Sequence, residues 1–225
     1  MRKFGLLVSA LLAMTLFSCQ KVDEKNVVVP EADDITYIDF VNESPDTKTA
    51  MTIDGSVVHY SWTEEDTNFE VFAEQGENLI PAVSVEPQRN GEKLYLRCGF
   101  ETGKLPSSGS VNFVSVLNGI VPTAQTTGAT SYDPVADILT GVATADAANL
   151  TAKPVAFNFT RTIAVGKITC NNVDGNVESV MISSNQTLVG ACSAKGVWED
   201  IPNAKINVTG VQDNVCYFTC NSCCK

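Results

Sequence analysis

Few residues in this sequence have the types and spacing that catalysis requires. His59 is the only histidine, so both Ser-His-Asp and Cys-His chemistry would depend on it alone. It lies in an alternating run that predicts a strand, on the face opposite Tyr60 and Trp62, which favours a solvent-facing side chain. The sequence contains no phosphate-binding glycine loop, dinucleotide fingerprint or zinc-protease motif. We therefore expect no catalytic residue and no enzymatic activity.

Carboxylates and aromatic rings offer two further kinds of site. The acidic runs Asp33-Asp34 and 64–66 could bind calcium or form an acid/base pair, but nothing fixes their separation, and solvated loops explain them as well. The segment 172–176 lacks the glutamate that closes a calcium loop, and a hairpin turn explains it better. We expect no metal and no cofactor. The aromatic residues could stack on a sugar ring, although aromatics in strands usually belong to a core; they are Tyr60, Trp62 and Phe72.

The eight cysteines fall into two groups besides Cys19. Those in strand-like context are expected to be small buried apolar residues or oxidised pairs rather than nucleophiles; they are Cys98, Cys170 and Cys192. The others crowd the last ten residues and could form a metal knot or disulfides, or the segment could fall outside the true reading frame. We favour the last interpretation, then disulfides, then metal. These are Cys216, Cys220, Cys223 and Cys224.

Composition limits the class of protein. The chain has 225 residues, a net charge of -11, 44% hydrophobic and 18% charged residues. This length and apolar fraction allow one large or two small folded domains. The negative charge argues against nucleic acid, whose phosphates demand a basic surface. Abundant Val, Thr, Ser, Asn and Gly favour strands and turns, so the sequence predicts an all-β fold.

The first residues predict export. Arg2 and Lys3 precede the uncharged run 4–18, which is typical of a secretory signal and shorter than a membrane-spanning helix. The end of this run, Leu16-Phe-Ser-Cys19, resembles the bacterial lipobox. That resemblance implies an acylated Cys19 that anchors the chain in outer-membrane lipid, because two or three acyl chains hold a protein stably. The alternative is an ordinary signal followed by an incidental cysteine.

Alternating hydrophobicity recurs along the rest of the chain and predicts strands, as in 94–97, 155–160 and 205–209. Turn dipeptides separate such runs and predict hairpins: Asp54-Gly55, Asn90-Gly91, Asn118-Gly119 and Asp174-Gly175. Asp133-Pro134 predicts a capped helical turn. Many short strands at this spacing indicate a sandwich. The predicted organisation is a signal peptide (1–18), a lipidated tether (19–34), an N-terminal β-sandwich (35–150) and a partial second β-sandwich with a Cys-rich tail (151–225).

Several motifs occur in an order that resembles the fimbrillin-like lipoproteins, the type V pilins and their accessory subunits. The resemblance spans about residues 1–190, and each motif is weak alone. The motifs are Ile35-Thr-Tyr-Ile-Asp-Phe40, Asp46-Thr-Lys48-Thr49, Trp62-Thr-Glu-Glu-Asp66, Phe69-Glu-Val-Phe72, Tyr132-Asp-Pro134-Val-Ala-Asp137, Phe157-Asn-Phe159-Thr-Arg161 and Val180-Met-Ile182.

This resemblance implies two transthyretin-like β-sandwiches in tandem and a structural role in a cell-surface fimbria. A trypsin-like protease would trim the chain, with Lys25 and Lys48 as the candidate sites. The trimmed subunit would join other fimbrial subunits by strand addition and contribute to adhesion to a host or bacterial surface. Family members usually continue past residue 225, so the second sandwich is expected to be incomplete and apolar strands such as 155–159 poorly covered. The alternative function is a surface glycan-binding lipoprotein of a polysaccharide-uptake system.

Overall fold

The computed structural model describes residues 34–42, 50–54 and 57–222. Short strands joined by turns dominate this part of the chain, together with the single-turn 3-10 helices 102–104, 134–136 and 147–149. The all-β prediction is confirmed. The strands are β1 (Ile35–Asn42), β2 (Ala50–Asp54), β3 (Val57–Ser61), β4 (Phe69–Gln75), β5 (Asn78–Pro81), β6 (Ser84–Asn90), β7 (Lys93–Glu101), β8 (Ser110–Leu117), β9 (Ile120–Val121), β10 (Ala124–Thr126), β11 (Leu139–Asp146), β12 (Val155–Ala156), β13 (Asn158–Arg161), β14 (Ile163–Thr169), β15 (Ser179–Ile182), β16 (Gly190–Cys192), β17 (Trp198–Asp200), β18 (Ile206–Thr209) and β19 (Val215–Asn221).

Two sheets pack face to face around the first core. One has the order β12-β1-β7-β6 and the other the order β13-β11-β8-β4-β5. Their alternating strands bury one face each, as Leu94 and Leu96 do in β7, while Arg97 beside them is exposed. The two sheets therefore form a β-sandwich. The largest fully buried side chains of this core are Ile38, Phe40, Leu94, Leu96, Phe100, Phe113, Leu117 and Leu139.

Strand β8 is buried on both of its faces from residue 113 to residue 117. Val111 and Phe113 point into the first core, and Val114 and Val116 point into a second core. That second core is covered by three small sheets of order β10-β18-β15, β14-β19 and β17-β16-β9. The sheet containing β8 is therefore the middle of three layers, which explains why residues 113–117 of β8 are buried in succession instead of alternating.

Two strands that follow Leu150 pair with strands of the first sandwich that precede it. Val155 and Ala156 of β12 lie parallel to β1, and β13 lies antiparallel to β11. The division of the chain at residue 150 stays a prediction, but the expectation that the strands of 155–159 are poorly covered is wrong. Phe157 and Phe159 are 3% and 6% exposed because they complete the first core.

Two of the four predicted hairpins form. β2 pairs with β3, and β6 pairs with β7 across a turn in which Gly91 has a φ of 62°. The other two predictions are wrong. Asn118 and Gly119 adopt left-handed conformations, but they lead from β8 in the middle sheet to β9, which pairs with β16. The segment 170–178 likewise joins strands of different sheets. A turn dipeptide fixes a local bend, and tertiary packing selects the pairing partner.

The predicted helical turn is confirmed as a single 3-10 turn. The Asp133 carboxylate accepts a hydrogen bond from the backbone N–H of Val135, and Pro134 occupies the first helical position. This turn ends at Ala136, so that Asp137 and Ile138 lead directly into β11. Over the described ranges, no helix has the length and apolar character needed to cross a membrane.

Candidate functional site

Strand β1 lies inside the first sheet. It pairs antiparallel with β7 along its whole length, from Ile35 opposite Glu101 to Asn42 opposite Leu94. On its other side it pairs parallel with β12, but only at Phe40 and Val41. Its alternation of Thr, Ile and Phe with Tyr, Asp and Val suits a strand with one buried and one outer face.

The buried face of β1 fills the centre of the first core. Ile38 and Phe40 are both 0% exposed. The Phe40 ring lies 5.0 Å from the Phe113 ring of β8, edge to face, and 4.6 Å from the Phe157 ring. Buried side chains of this size each contribute about 2–3 kcal/mol through the hydrophobic effect. Removal of β1 would therefore open an apolar groove between β7 and β12.

The contact between β1 and β12 is short. The N–H of Phe157 donates to the carbonyl oxygen of Val41 at 2.9 Å, and the Asn42 side chain donates to the carbonyl oxygen of Phe157 at 3.2 Å. Because backbone groups alternate sides along a strand, those of Tyr37 and Asp39 also point toward the β12 side. They have no strand partner there within the described residues. Most of this edge of β1 is thus open.

The residues predicted as sites of lipidation and cleavage lie outside the described residues; they are Cys19, Lys25 and Lys48. Their places in the sequence nevertheless separate them. Lys48 follows the end of β1 at Asn42 and precedes the start of β2 at Ala50, whereas Lys25 precedes β1. A cut after Lys48 would therefore separate β1 from the rest of the chain, and a cut after Lys25 would leave β1 attached.

A buried polar cluster lies just before the start of β11 and at the end of β13. Asp137 is 0% exposed and accepts three hydrogen bonds from Arg161, at 2.9 Å from Nε to Oδ1, 3.2 Å from Nε to Oδ2 and 3.0 Å from Nη2 to Oδ2. The Tyr132 hydroxyl donates to Oδ2 at 2.7 Å. The backbone carbonyl of Asp137 accepts from Asn118 at 2.9 Å. This planar two-point pairing is the strongest form of arginine–carboxylate contact.

Burial governs the electrostatics of this cluster. It raises the pKa of the Asp137 carboxyl, while the hydrogen bonds and charge of Arg161 and the hydroxyl of Tyr132 oppose that shift. Burial and the charge of Asp137 also raise the pKa of the Tyr132 hydroxyl, which therefore remains a hydrogen-bond donor. Burial works against the charged form of Arg161, but the hydrogen bonds and charge of Asp137 outweigh it and raise its pKa.

The same cluster holds the β2–β3 hairpin. The Arg161 guanidinium lies over the Tyr60 ring at 4.4 Å from its centroid, within the range of cation–π attraction. Tyr60 also packs against a small apolar group formed by Met51, Tyr132 and Tyr217. The hairpin is thus attached to β13 through Arg161 and to β19 through Tyr217. Two of the sequence motifs contain Asp137 and Arg161, but the sequence did not predict that these two side chains pair.

The segment with the terminal cysteines is folded as far as Asn221. Strand β19 pairs with β14 over seven residues, and Cys216 is 0% exposed in the second core. Gln125 binds the backbone N–H and the carbonyl of Thr219, each at 2.9 Å. Cys216 and Cys220 therefore lie in a paired strand of the folded chain, and the interpretation that the segment falls outside the true reading frame stays a prediction. Cys223 and Cys224 lie outside the described residues. Cys98, Cys170 and Cys216 carry free thiols.

We predict that Cys98 makes stability depend on alkaline pH. Burial, with a smaller contribution from Asp39, raises the pKa of Cys98 from 9.0 to about 12. As pH rises, the thiol ionises in the unfolded chain before it ionises in the folded chain. The contribution of Cys98 to the free energy of unfolding is therefore complete below pH 9 and is lost as pH rises toward 12. Within this window the free energy of unfolding should fall by about 1.4 kcal/mol per pH unit from this group. Urea unfolding at several pH values gives the free energy of unfolding as a function of pH. Between pH 9 and 12 this free energy should fall less steeply with pH for Cys98→Ala than for wild type; an equal fall would contradict the assignment.

The remaining sequence-predicted sites do not assemble. His59 is exposed, as expected. Asp66 is buried in a turn, where its carboxylate accepts the N–H of Thr63 at 2.6 Å. Glu64 lies 3.6 Å from Arg89. The part of the chain that the structure describes contains no group of three or more histidine, cysteine or acidic residues able to hold a metal ion.

The three aromatic residues considered for sugar stacking lie in three places. Trp62 packs in the first core, with ring centroids 6.2 Å from Phe69 and 6.1 Å from Phe159. Tyr60 belongs to the group around Tyr132, and Phe72 packs against the second core. They do not share a surface, so they cannot form the stacking platform considered from the sequence.

Comparison of the chain with protein-family models, with curated proteins and with solved structures finds no match.

Proposed function

We propose that the protein is a structural or anchor subunit of a cell-surface fimbria, with transthyretin-like β-sandwiches and assembly by strand exchange. The observation that carries the proposal is the position of β1. It is a core-filling strand that pairs along its whole length with β7, and the chain segment that follows it contains Lys48. One cut at a basic residue would therefore free a strand on which the first core depends.

The segments that carry the resemblance to fimbrillin-like lipoproteins also contact one another. Trp62 packs edge to face on Phe159, Asp137 pairs with Arg161, and Phe40 packs on Phe157. Motifs spread over more than 100 residues of sequence thus meet in one arrangement.

Strand exchange is the physical consequence of losing β1. The edge of β7 would present unpaired N–H and C=O groups along the stretch now paired with β1, and the core around Phe113 would meet water. Both are costly, and an extended segment from another subunit would satisfy both at once. The β12 pairing of β1 spans only two residues, so few hydrogen bonds hold β1 on that side.

The choice of cleavage site would set the role of the subunit. A chain cut after Lys48 loses β1 and accepts a strand from a neighbour. A chain cut after Lys25, or not cut, keeps β1 and cannot accept a strand there, which suits an anchor or terminator. In either case an acylated Cys19 holds the precursor on outer-membrane lipid before cleavage, since two or three acyl chains give stable attachment.

We predict that Lys48→Gln blocks assembly and that Lys25→Gln does not. Purified full chain in detergent would be treated with limiting trypsin and followed by mass spectrometry and by gel ladders without boiling. Wild-type protein and Lys25→Gln should yield a fragment starting at Thr49 and form ladders of bound subunits. Lys48→Gln should keep β1 and stay monomeric.

A peptide with the sequence of Ile35–Asn42 provides the matched control. Added in excess after cleavage, it should reoccupy the groove and suppress the ladders, whereas a scrambled peptide of the same composition should not. Ladders that form equally in Lys48→Gln, or that ignore the β1 peptide, would contradict strand exchange at this groove.

A further inference from the structure

The outer face of the first sheet combines aromatic and charged side chains. Strands β1, β7 and β6 lie side by side there, and their outward residues form three rows across the sheet. The outer rows hold tyrosines, and the middle row holds an arginine between two acidic residues. The rows are Tyr37–Gly99–Ser84, Asp39–Arg97–Glu86 and Val41–Tyr95–Gln88.

This face contains a cavity of about 260 Å³. Its lining residues are Asp39, Gln88, Tyr95, Arg97 and Pro154. Tyr95 is half-buried, and the four others are exposed. The volume is just below the range typical of pockets for drug-sized ligands, about 300–1,000 Å³, and suits a small unit such as one sugar ring.

Arg97 is held in a defined orientation at this cavity. Its guanidinium lies over the Tyr37 ring, 4.9 Å from the centroid. Tyr37 leans across Gly99, where an added Cβ would come within 3.2 Å of Tyr37 Cε1 and 2.7 Å of Ser84 Oγ. The missing side chain of Gly99 thus makes room for the ring that carries Arg97. The edges of the guanidinium keep their N–H groups for other partners.

The polar groups of the cavity are exposed or half-buried and line one depression. Within the described residues, the side chains of Asp39, Gln88, Tyr95 and Arg97 make no hydrogen bond or ion pair to protein. Together they offer charged and neutral donors and acceptors in one shallow depression. The side of the Tyr95 ring and the Pro154 ring supply apolar surface beside them.

We propose that this cavity binds one residue of a neutral saccharide. A sugar ring has an apolar face, which the rings of Tyr95 and Pro154 can contact, and hydroxyl groups around its edge that both donate and accept hydrogen bonds. Asp39 accepts, Arg97 donates, and Gln88 does both. Asp39 and Glu86 flank Arg97 on a protein of net charge -11, so a sialylated or sulfated sugar is disfavoured.

This inference goes beyond the proposed assembly function and does not depend on it. Tyr37 and Asp39 belong to β1, so the site is complete only in a chain that keeps β1. A subunit trimmed after Lys48 would lose Asp39 from the lining and the Tyr37 ring against which Arg97 packs. Binding measured on the intact chain therefore tests the site separately from strand exchange.

The test uses the uncleaved full chain in a detergent without a sugar headgroup. A glycan array with neutral glucose, galactose, mannose and xylose oligomers and sialylated counterparts identifies the strongest neutral ligand, and calorimetry measures its affinity. Arg97→Met should weaken binding about tenfold, as expected for loss of a hydrogen bond to a charged group. Asp39→Asn should also weaken it.

Lys167→Met is the matched control. Lys167 is an exposed cation over a tyrosine, 5.6 Å from the Tyr217 ring centroid, but it lies on β14, far from the cavity in sequence and sheet order. The affinity of Lys167→Met for the neutral glycan should equal that of wild type. Thermal unfolding should confirm that all variants are folded. No bound neutral glycan, a preference for sialylated glycans, or equal affinity in Arg97→Met would overturn the proposal.

Discussion

Replacing Arg161 with methionine should lower the free energy of unfolding by about 3–5 kcal/mol, because it leaves a buried carboxylate without its countercharge. Asp137 is 0% exposed, and Arg161 supplies its only cation in the described part of the chain. Burial already raises the pKa of Asp137, and loss of Arg161 should raise it further. Urea unfolding monitored by circular dichroism measures the change.

A double-mutant cycle shows whether the loss comes from the pair. Asp137→Ala combined with Arg161→Met should cost clearly less than the sum of the two single changes, since neither charge is then left alone. Lys104→Met is the matched control, because Lys104 pairs with Glu101 at 2.8 Å on the surface, where such pairs contribute about 0–1 kcal/mol. If Arg161→Met is no more costly than Lys104→Met, the pair does not stabilise the fold in the way argued.

Replacing Phe40 with alanine should lower the stability of the intact chain by about 3–5 kcal/mol, the range for a large ring removed from a core. Phe40 is 0% exposed and contacts Phe113 and Phe157. Chemical unfolding of the uncleaved protein measures this loss. Phe113→Ala should cost a similar amount, since Phe113 is the facing ring of β8.

After cleavage, Phe40→Ala and Phe113→Ala should differ in their effect on stability. If β1 leaves after a cut at Lys48, Phe40→Ala has no effect on the stability of the trimmed, assembled product. Phe113→Ala remains in the groove and should weaken that product as well. The opposite result, in which Phe40→Ala still destabilises the trimmed assembly, would mean that β1 is retained and would contradict the exchange mechanism.

The strand proposed to be exchanged, β1, does not contain the Asp137–Arg161 pair that joins other elements of the fold. The pair of Asp137 and Arg161 joins the start of β11 to the end of β13. It also reaches the β2–β3 hairpin through Tyr60 and β19 through the apolar group around Tyr217. None of these elements is β1. Loss of β1 would therefore expose the first core and leave the second core and the hairpin attached.

Local pattern was enough to predict much of the fold. The alternation of 94–97, 155–160 and 206–209 correctly predicted strands and their buried faces, because side-chain direction in a strand depends only on the parity of position. The cap at Asp133 was predicted for a similar reason, since it involves atoms two residues apart. Cys19, Lys25 and Lys48 were identified from sequence alone and stay predictions.

Pairing partners were decided only by the tertiary structure. The dipeptide Asn118-Gly119 bends the chain locally, as its sequence predicts. The strand after it, β9, pairs with β16 and not with β8, since burial of the second core selects the partner. The meeting of Asp137 with Arg161 across 24 residues, and the insertion of β1 between β7 and β12, have the same origin. The sequence determines which segments are extended and which faces are apolar, whereas contacts between distant segments depend on the packing of all layers at once.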